Sequence, residues 1–272
     1  MVRIDDVISC LEEMAPEELA EPWDNCGLII GSGREFTERV VACLDVTCEV
    51  VDEALEKHAR LIVSHHPLLF TPVKRIGLNG RRDALLRALI KNDIALYCMH
   101  TNADKTYGGL NDLLAGIVGL EPELPVNYQE ELGYYRAGSL PREYALTEFC
   151  ERVCQRLKLR NVCVSAASGP DAGGRIKNVV VMCGAYDLSP DKVFRLNADA
   201  VLCGEIKYHE LLELTGMGVH VVQAGHHGTE RFFCNLIEKW VKDKYPALQV
   251  DISGFYADPT EVYHSVNAGG GI

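Results

Sequence analysis

The segment LIVSHHPLLF, residues 61–70, runs an apolar stretch directly into two adjacent histidines and a proline. Its opening, LIVS, is short, continuous and rich in β-branched residues. That is the pattern of a strand buried on both faces, as in a parallel sheet covered by helices. Pro67 biases His66 toward extended backbone and stops a helix from starting there. Neighbouring residues of an extended chain project to different sides, so His65 and His66 can serve two different partners. The chain has nine histidines, and two of them side by side at a strand end are either a loop feature or the start of a binding site.

Outward from this segment the same rhythm repeats. RVVACLD (39–45) is a strand, and Thr47 caps a helix through about His58 whose apolar face is Val50, Val51, Ala54 and Leu55. RRDALLRALIKN (81–92) is a helix, IALYCM (94–99) a strand and GLNDLLAGIV (109–118) a helix. EPELPVNYQEELG (121–133) is acidic, proline-bearing and aperiodic, and marks a boundary. Beyond it, YYRAGSL, NVCVSA, NVVVMCG, AVLCGE, VHVVQAG and LQVDIS read as strands. The helices between them are LTEFCERVCQRL, SPDKVFRL, YHELLEL and a long TERFFCNLIEKWVKDKY (229–245). Strands alternating with helices imply βαβ units, a largely parallel sheet and an α/β fold. The tail HSVNAGGGI (264–272) is expected to be mobile.

Composition narrows the function. The 272 residues carry 47% hydrophobic and 24% charged side chains and a net charge of −12, with a pI near 5.2 and mean hydropathy of −0.01. Without a basic block, binding of nucleic acid or of an anionic membrane is disfavoured. The acidic N-terminus lacks the features of a signal peptide, and no stretch reaches the length of a membrane span, so a cytoplasmic location is expected. The eleven cysteines are scattered through strand-like runs and read as reduced, buried thiols. Cys150 and Cys154, one helical turn apart, would be half of a metal site, but no matching pair follows.

Ligand sites in parallel α/β sheets form beyond the carboxyl ends of the strands. Four such ends carry histidine here. His65 and His66 follow LIVS; His100 and Asp104 follow IALYCM. Glu205, Lys207 and His209 follow AVLC, and His226, His227 and Glu230 follow VHVVQA. His226 and Glu230 stand four apart at a helix start, so both side chains share one face, and a glutamate there can bridge two ions. Imidazole mixed with carboxylate suits zinc, manganese or iron. Each group has a plainer reading on its own, as an Asx turn or a helix-dipole acid. Four equivalent strand ends together point to one metal site. His58, His220 and His264 lack carboxylate neighbours in such positions and read as structural.

At these residues the sequence resembles the Nif-three-like dinuclear metal-centre family, also called the GTP cyclohydrolase I type 2 family. The matching segments are WDNCGLIIG, IVSHHPLLF, MHTNADKTYGGLNDLLA, GEIKYHE and AGHHGTE, in family order. The resemblance implies that His65, His66, Asp104, His226 and Glu230 hold two divalent metal ions per chain (Zn, Mn or Fe). It implies two similar α/β subdomains, each a mixed sheet flanked by helices, with residues 1–127 plus 220–272 forming the metal-binding unit and 128–219 the second. A ring-shaped homohexamer follows from the same resemblance. The implied activity is two-metal hydrolysis of a small anionic substrate such as GTP or another nucleotide. His100, His209 and His227 would be candidate proton carriers and Lys207 a phosphate contact. His227 stands where the family often has an aromatic residue, and Cys203 where a hydroxyl residue is more usual. Phosphoester hydrolysis suits the same ligands, and so does a non-enzymatic metal-binding regulatory or interaction protein.

Overall fold

A computed structural model describes residues 1–77, 79–122, 133–168, 174–255 and 258–260. The first half of the chain forms strands β1 (Val2–Arg3), β2 (Gly27–Ile30), β3 (Phe36–Thr37), β4 (Arg39–Cys43), β5 (Leu61–Ser64) and β6 (Ala95–Cys98). The second half adds β7 (Glu121–Pro122), β8 (Arg136–Tyr144), β9 (Cys163–Ser165), β10 (Ile176–Val181), β11 (Ala200–Cys203), β12 (His220–Gln223) and β13 (Gln249–Ile252). They build two principal sheets, ordered β13-β4-β5-β6-β2 and β7-β8-β10-β11-β12-β9. Strands β13, β4, β5 and β6 are parallel, and β2 closes that sheet antiparallel to β6. In the second sheet β10, β11 and β12 are parallel, flanked by antiparallel β8 and β9. The fold is mixed α/β, with helices flanking both sheets.

Side-chain alternation assigns the layers. Val40, Ala42, Leu61 and Val63 enter one large core, while Val41, Cys43 and Ile62 face a second under helices Cys48–Glu56 and Arg81–Lys91. In the other sheet Val179, Val181 and Leu202 enter the same large core, and Val180 and Val201 face a third one on the outer side. This is the period-two pattern of strands covered on both faces. The large core is therefore common to both sheets. Its middle layer includes Ile4, Leu11, Leu114, Phe149, Phe233 and Trp240. The two subdomains read from the sequence share one interior.

The chain's return to the first sheet differs from expectation. The resemblance puts residue 220 in the metal-binding unit, yet Ala200↔His220 through Cys203↔Gln223 pair β12 with β11 inside the second sheet. The crossing comes later, through helix Phe233–Lys244 and strand β13, which lies beside β4. The expected long helix over 229–245 is also divided. A short helix, His226–Glu230, ends in a bond from Arg231 N to His227 O, and the next begins at Phe233. The Arg231 guanidinium is anchored on the Leu157 carbonyl. Thr47 caps its helix as expected, accepting from Val50 N at 3.3 Å. The boundary segment 121–133 lies mostly outside the described residues, and the tail 264–272 lies wholly outside them. All eleven cysteines are free thiols. Among the described residues no helix is long and apolar enough to cross a membrane.

Candidate metal centre

The parallel strands of both sheets deliver their carboxyl ends to one cleft of about 570 Å³, whose lining includes His100, Asp104, Glu205, His226 and Glu230. On the first sheet the ladder continues past the strands: His65 N bonds Cys43 O and His66 N bonds Leu44 O. That fixes the backbone beneath both imidazoles. On the second sheet β10, β11 and β12 each run into a glycine, namely Gly184, Gly204 and Gly225. A Cβ on Gly184, whose φ is +62°, would lie 2.2 Å from Glu230 Oε1, and one on Gly204 would lie 2.9 Å from His226 Cα. Only the bare backbone lets helix His226–Glu230 settle over the strand ends. Thr229 pins it there, its hydroxyl accepting from Gly184 N at 3.0 Å.

Four imidazoles have Nδ1 engaged, and those of His65, His66 and His226 turn Nε2 toward Glu230. His65 Nδ1 donates to Met99 O at 2.9 Å, His66 Nδ1 meets Asp45 Oδ1 at 3.0 Å, His100 Nδ1 meets Asp24 Oδ1 at 2.9 Å and His226 Nδ1 meets Glu205 Oε1 at 2.8 Å. An acceptor on one ring nitrogen orients the ring and leaves the other free for a cation, the usual support of metal-binding histidine. Glu230 sits at the centre. Its Oε1 is 3.7 Å from His65 Nε2, and its Oε2 is 3.1 Å from His66 Nε2 and 3.0 Å from His226 Nε2. Asp104 Oδ1 lies 3.8 Å from His65 Nε2. These last two atoms are buried without a hydrogen-bond partner among the described residues. A buried nitrogen and carboxylate oxygen left this way carry a desolvation cost unless something lies between them, and a cation about 2.1 Å from each fits that gap.

The electrostatics agree. Burial works against the charged form of His66, but hydrogen bonds with Asp45 and Glu230 outweigh it and push its pKa up to about 10. Glu230 raises His226 to about 9 against the opposing effect of burial, with help from Glu205. Burial raises Asp104 to about 7; His65 opposes the shift and Glu230 adds to it. Burial would also raise Glu230, yet the imidazoles of His226, His65 and His66 hold it well below the usual carboxylate range. Without metal, the site draws in protons to balance its carboxylates.

His66, His226 and Glu230 form one ligand cluster, and His65, His66 and His100 a second, with ligand atoms inside each cluster within 4.8 Å of one another. These clusters could hold metal. Residues 2–259 match the Duf34/NIF3 (NGG1p interacting factor 3) family. The chain belongs to that family. A Clostridium perfringens relative, named GTP cyclohydrolase 1 type 2 homolog, is 30% identical over 264 residues, covering 96% of this chain and 99% of the relative. A Drosophila melanogaster relative, named NIF3-like protein 1, is 34% identical over 249 residues, covering 88% and 82%. The solved structure of a Bacillus cereus protein related to NIF3 matches with a TM-score of 0.85 at 24% identity, covering 96% of this chain and 99% of that one. That likeness shows the NIF3 fold.

Within this NIF3 fold the five sequence-read ligands come together, and His100 joins them more closely than a mere neighbour. Its ring centroid is 5.2 Å from that of His65 and 5.7 Å from that of His66. Lys207 stands on the cleft wall with an exposed side chain, 3.9 Å from Glu210. His209 lies exposed on helix Tyr208–Gly216 against the Tyr208 ring and outside the cleft lining. His227 is half-buried, also outside that lining, and its charge acts on Asp258. The sequence reading missed Asp24 and Asp45. Asp45 ends RVVACLD at a strand terminus equivalent to that of His65, and this was the available signal. Asp24 sits in WDNCG, whose turn-like composition gave no hint of a histidine partner.

Proposed function

We propose that the chain is a dinuclear metal-dependent hydrolase acting on a nucleotide-type substrate, in keeping with the relative named GTP cyclohydrolase 1 type 2 homolog. The observation that supports this best is the division of Glu230, with one oxygen toward His65 and the other between His66 and His226. A carboxylate so divided suits a ligand shared by two cations, one held also by His65 and Asp104, the other by His66 and His226. The mixed imidazole and carboxylate donors suit Zn, Mn or Fe. Bound divalent metal would supply positive charge for an anionic substrate and acidify water toward neutrality.

The chain's own groups account for the rest. With a net charge of −12, the protein would repel a nucleotide away from such a centre. Lys207 on the cleft wall is the phosphate contact in this reading. His100, oriented by Asp24, keeps Nε2 available to carry a proton. The reading includes a homohexamer in the cytoplasm, which rests on family resemblance and composition; light scattering tests the assembly.

Incubation of the metal-loaded protein with GTP, other nucleotides and a generic phosphoester tests the activity. Turnover is expected, and it is expected to vanish in His65→Ala and Glu230→Ala variants that keep native circular dichroism. Release of formate from GTP would indicate opening of the purine imidazole ring; release of phosphate would indicate phosphoester hydrolysis. Silence across the panel with metal bound would favour a regulatory or metal-handling protein instead.

A further inference from the structure

Trp23 and Phe70 line the same cleft, yet they are 54% and 53% exposed. Neither belongs to the three core clusters of the described residues. Their ring centroids are 5.7 Å apart with planes at 42°, and His100 meets them edge-on at 6.2 and 6.5 Å. A single exposed aromatic needs no explanation, but here two contacting rings stand on the wall of a concave cleft that also holds the charged cluster, the setting in which an apolar surface with a few polar groups takes a ligand.

The pair is also held in place. Asn25 Nδ2 donates to Leu69 O at 2.6 Å, tying the loop that carries Trp23 to the one that carries Phe70. Between Trp23 and Asn25, Asp24 accepts from Thr101 N at 3.1 Å, from Thr101 Oγ1 at 2.6 Å and from His100 Nδ1 at 2.9 Å. The anchor that orients one metal-site imidazole therefore also fixes the aromatic lip. Such fixing lowers the ordering cost of stacking a ligand there.

We infer that Trp23 and Phe70 form a stacking platform for a planar heteroaromatic ring, whose anionic end reaches the histidine–carboxylate cluster. This rests on the nucleotide reading above and deepens it. The cleft, at about 570 Å³, lies within the roughly 300–1,000 Å³ of small-molecule sites. A wholly apolar ligand is disfavoured by Asp187, Glu205 and Lys207 on the walls. A sugar phosphate or bare oxyanion offers no face to stack. A ring joined to an anion matches both ends.

Equilibrium binding to the metal-loaded protein tests this without turnover, using GMP and ribose 5-phosphate as probes. The other tryptophan, Trp240, is 2% exposed, so quenching of protein fluorescence reports Trp23. GMP is expected to quench and ribose 5-phosphate is not. By calorimetry, Trp23→Ala and Phe70→Ala are each expected to weaken GMP binding about 5- to 150-fold, the loss of a base–aromatic stack. Ribose 5-phosphate affinity and metal content stay at their wild-type values, and Trp23→Phe keeps most of the GMP affinity. Asn25→Ala, which frees the two loops, weakens GMP selectively. The inference is overturned if GMP fails to quench the wild type. It is equally overturned if the Trp23→Ala/Phe70→Ala double variant binds GMP normally, or if both probes weaken together. Selective GMP binding with no turnover of any nucleotide would sink the hydrolase reading and leave the platform standing.

Discussion

His65 Nε2 and Asp104 Oδ1 face each other across 3.8 Å in the protein interior, and neither has a hydrogen-bond partner among the described residues. The two atoms come from the ends of adjacent parallel strands, β5 directly and β6 through the helix Thr101–Lys105. Hydrogen bonds hold the main chain at both residues: His65 N donates to Cys43 O, and the Asp104 carbonyl accepts from Asn111 Nδ2 at 3.1 Å. The fold thus maintains an arrangement that is costly when empty and favourable around a cation.

The outer acceptors are expected to matter nearly as much as the ligands. Asp45→Ala removes the group that orients His66 and should weaken metal binding by about 10- to 100-fold. Competition with a chromophoric chelator measures it, with the thermal transition of the metal-free protein as control for folding. Affinity equal to wild type would show that His66 needs no such support.

Metal binding should release protons. In the metal-free protein His66 titrates at about 10 and His226 at about 9. Both are protonated at pH 7, and an incoming cation must displace those protons. The sign is positive: affinity rises with pH, by up to about two decades per pH unit between roughly pH 7 and 9. Below that range Asp104, near 7, adds a further fraction of a proton. Calorimetry in buffers of different ionisation enthalpy counts the protons, and a buffer-independent heat would contradict the prediction.

Gly184→Ala places a methyl 2.2 Å from Glu230 Oε1, at a backbone φ of +62°. The expected result is loss of metal at both halves of the proposed site, because in that proposal the two Glu230 oxygens are shared between them. Elemental analysis of the folded variant checks this. A full metal complement would mean that the carboxylate has room to move.

Arg136 ties β8 of the second sheet to the end of helix Thr101–Lys105 and to helix Leu110–Val118. It is buried, pairs with Asp112, and donates to the carbonyls of Lys105 and Thr106 at 2.9 and 3.0 Å. Arg136→Ala leaves those acceptors in the interior and should cost about 3 kcal/mol or more in urea unfolding. A change within about 0.5 kcal/mol would show that water replaces the guanidinium, as at an ordinary surface site.

Much of this was legible in the chain because the signals are local. LIVS, VVAC and ALYC are strands whose apolar character answers to burial on both faces, and the histidines follow at their carboxyl ends. The His226–Glu230 spacing fixes a shared helix face before any tertiary contact forms. What was not legible depends on packing between distant segments. β12 reads the same whether it joins either sheet, and only its pairing with β11 decides the matter. The break at Arg231 and Phe232 carries no glycine or proline, and Arg231 finds its Leu157 anchor only in the folded chain. Asp24 looks like an ordinary loop acid until the imidazole of His100 arrives beside it.

The measurement that bears most directly on the account is a crystal structure of the Zn- or Mn-loaded protein with anomalous scattering recorded at the metal edge. The account predicts two peaks about 3.5–4 Å apart. One should lie against His65 and Asp104, the other against His66 and His226, with the two Glu230 oxygens divided between them. A single peak, or none within reach of Asp104 and Glu230, would contradict it.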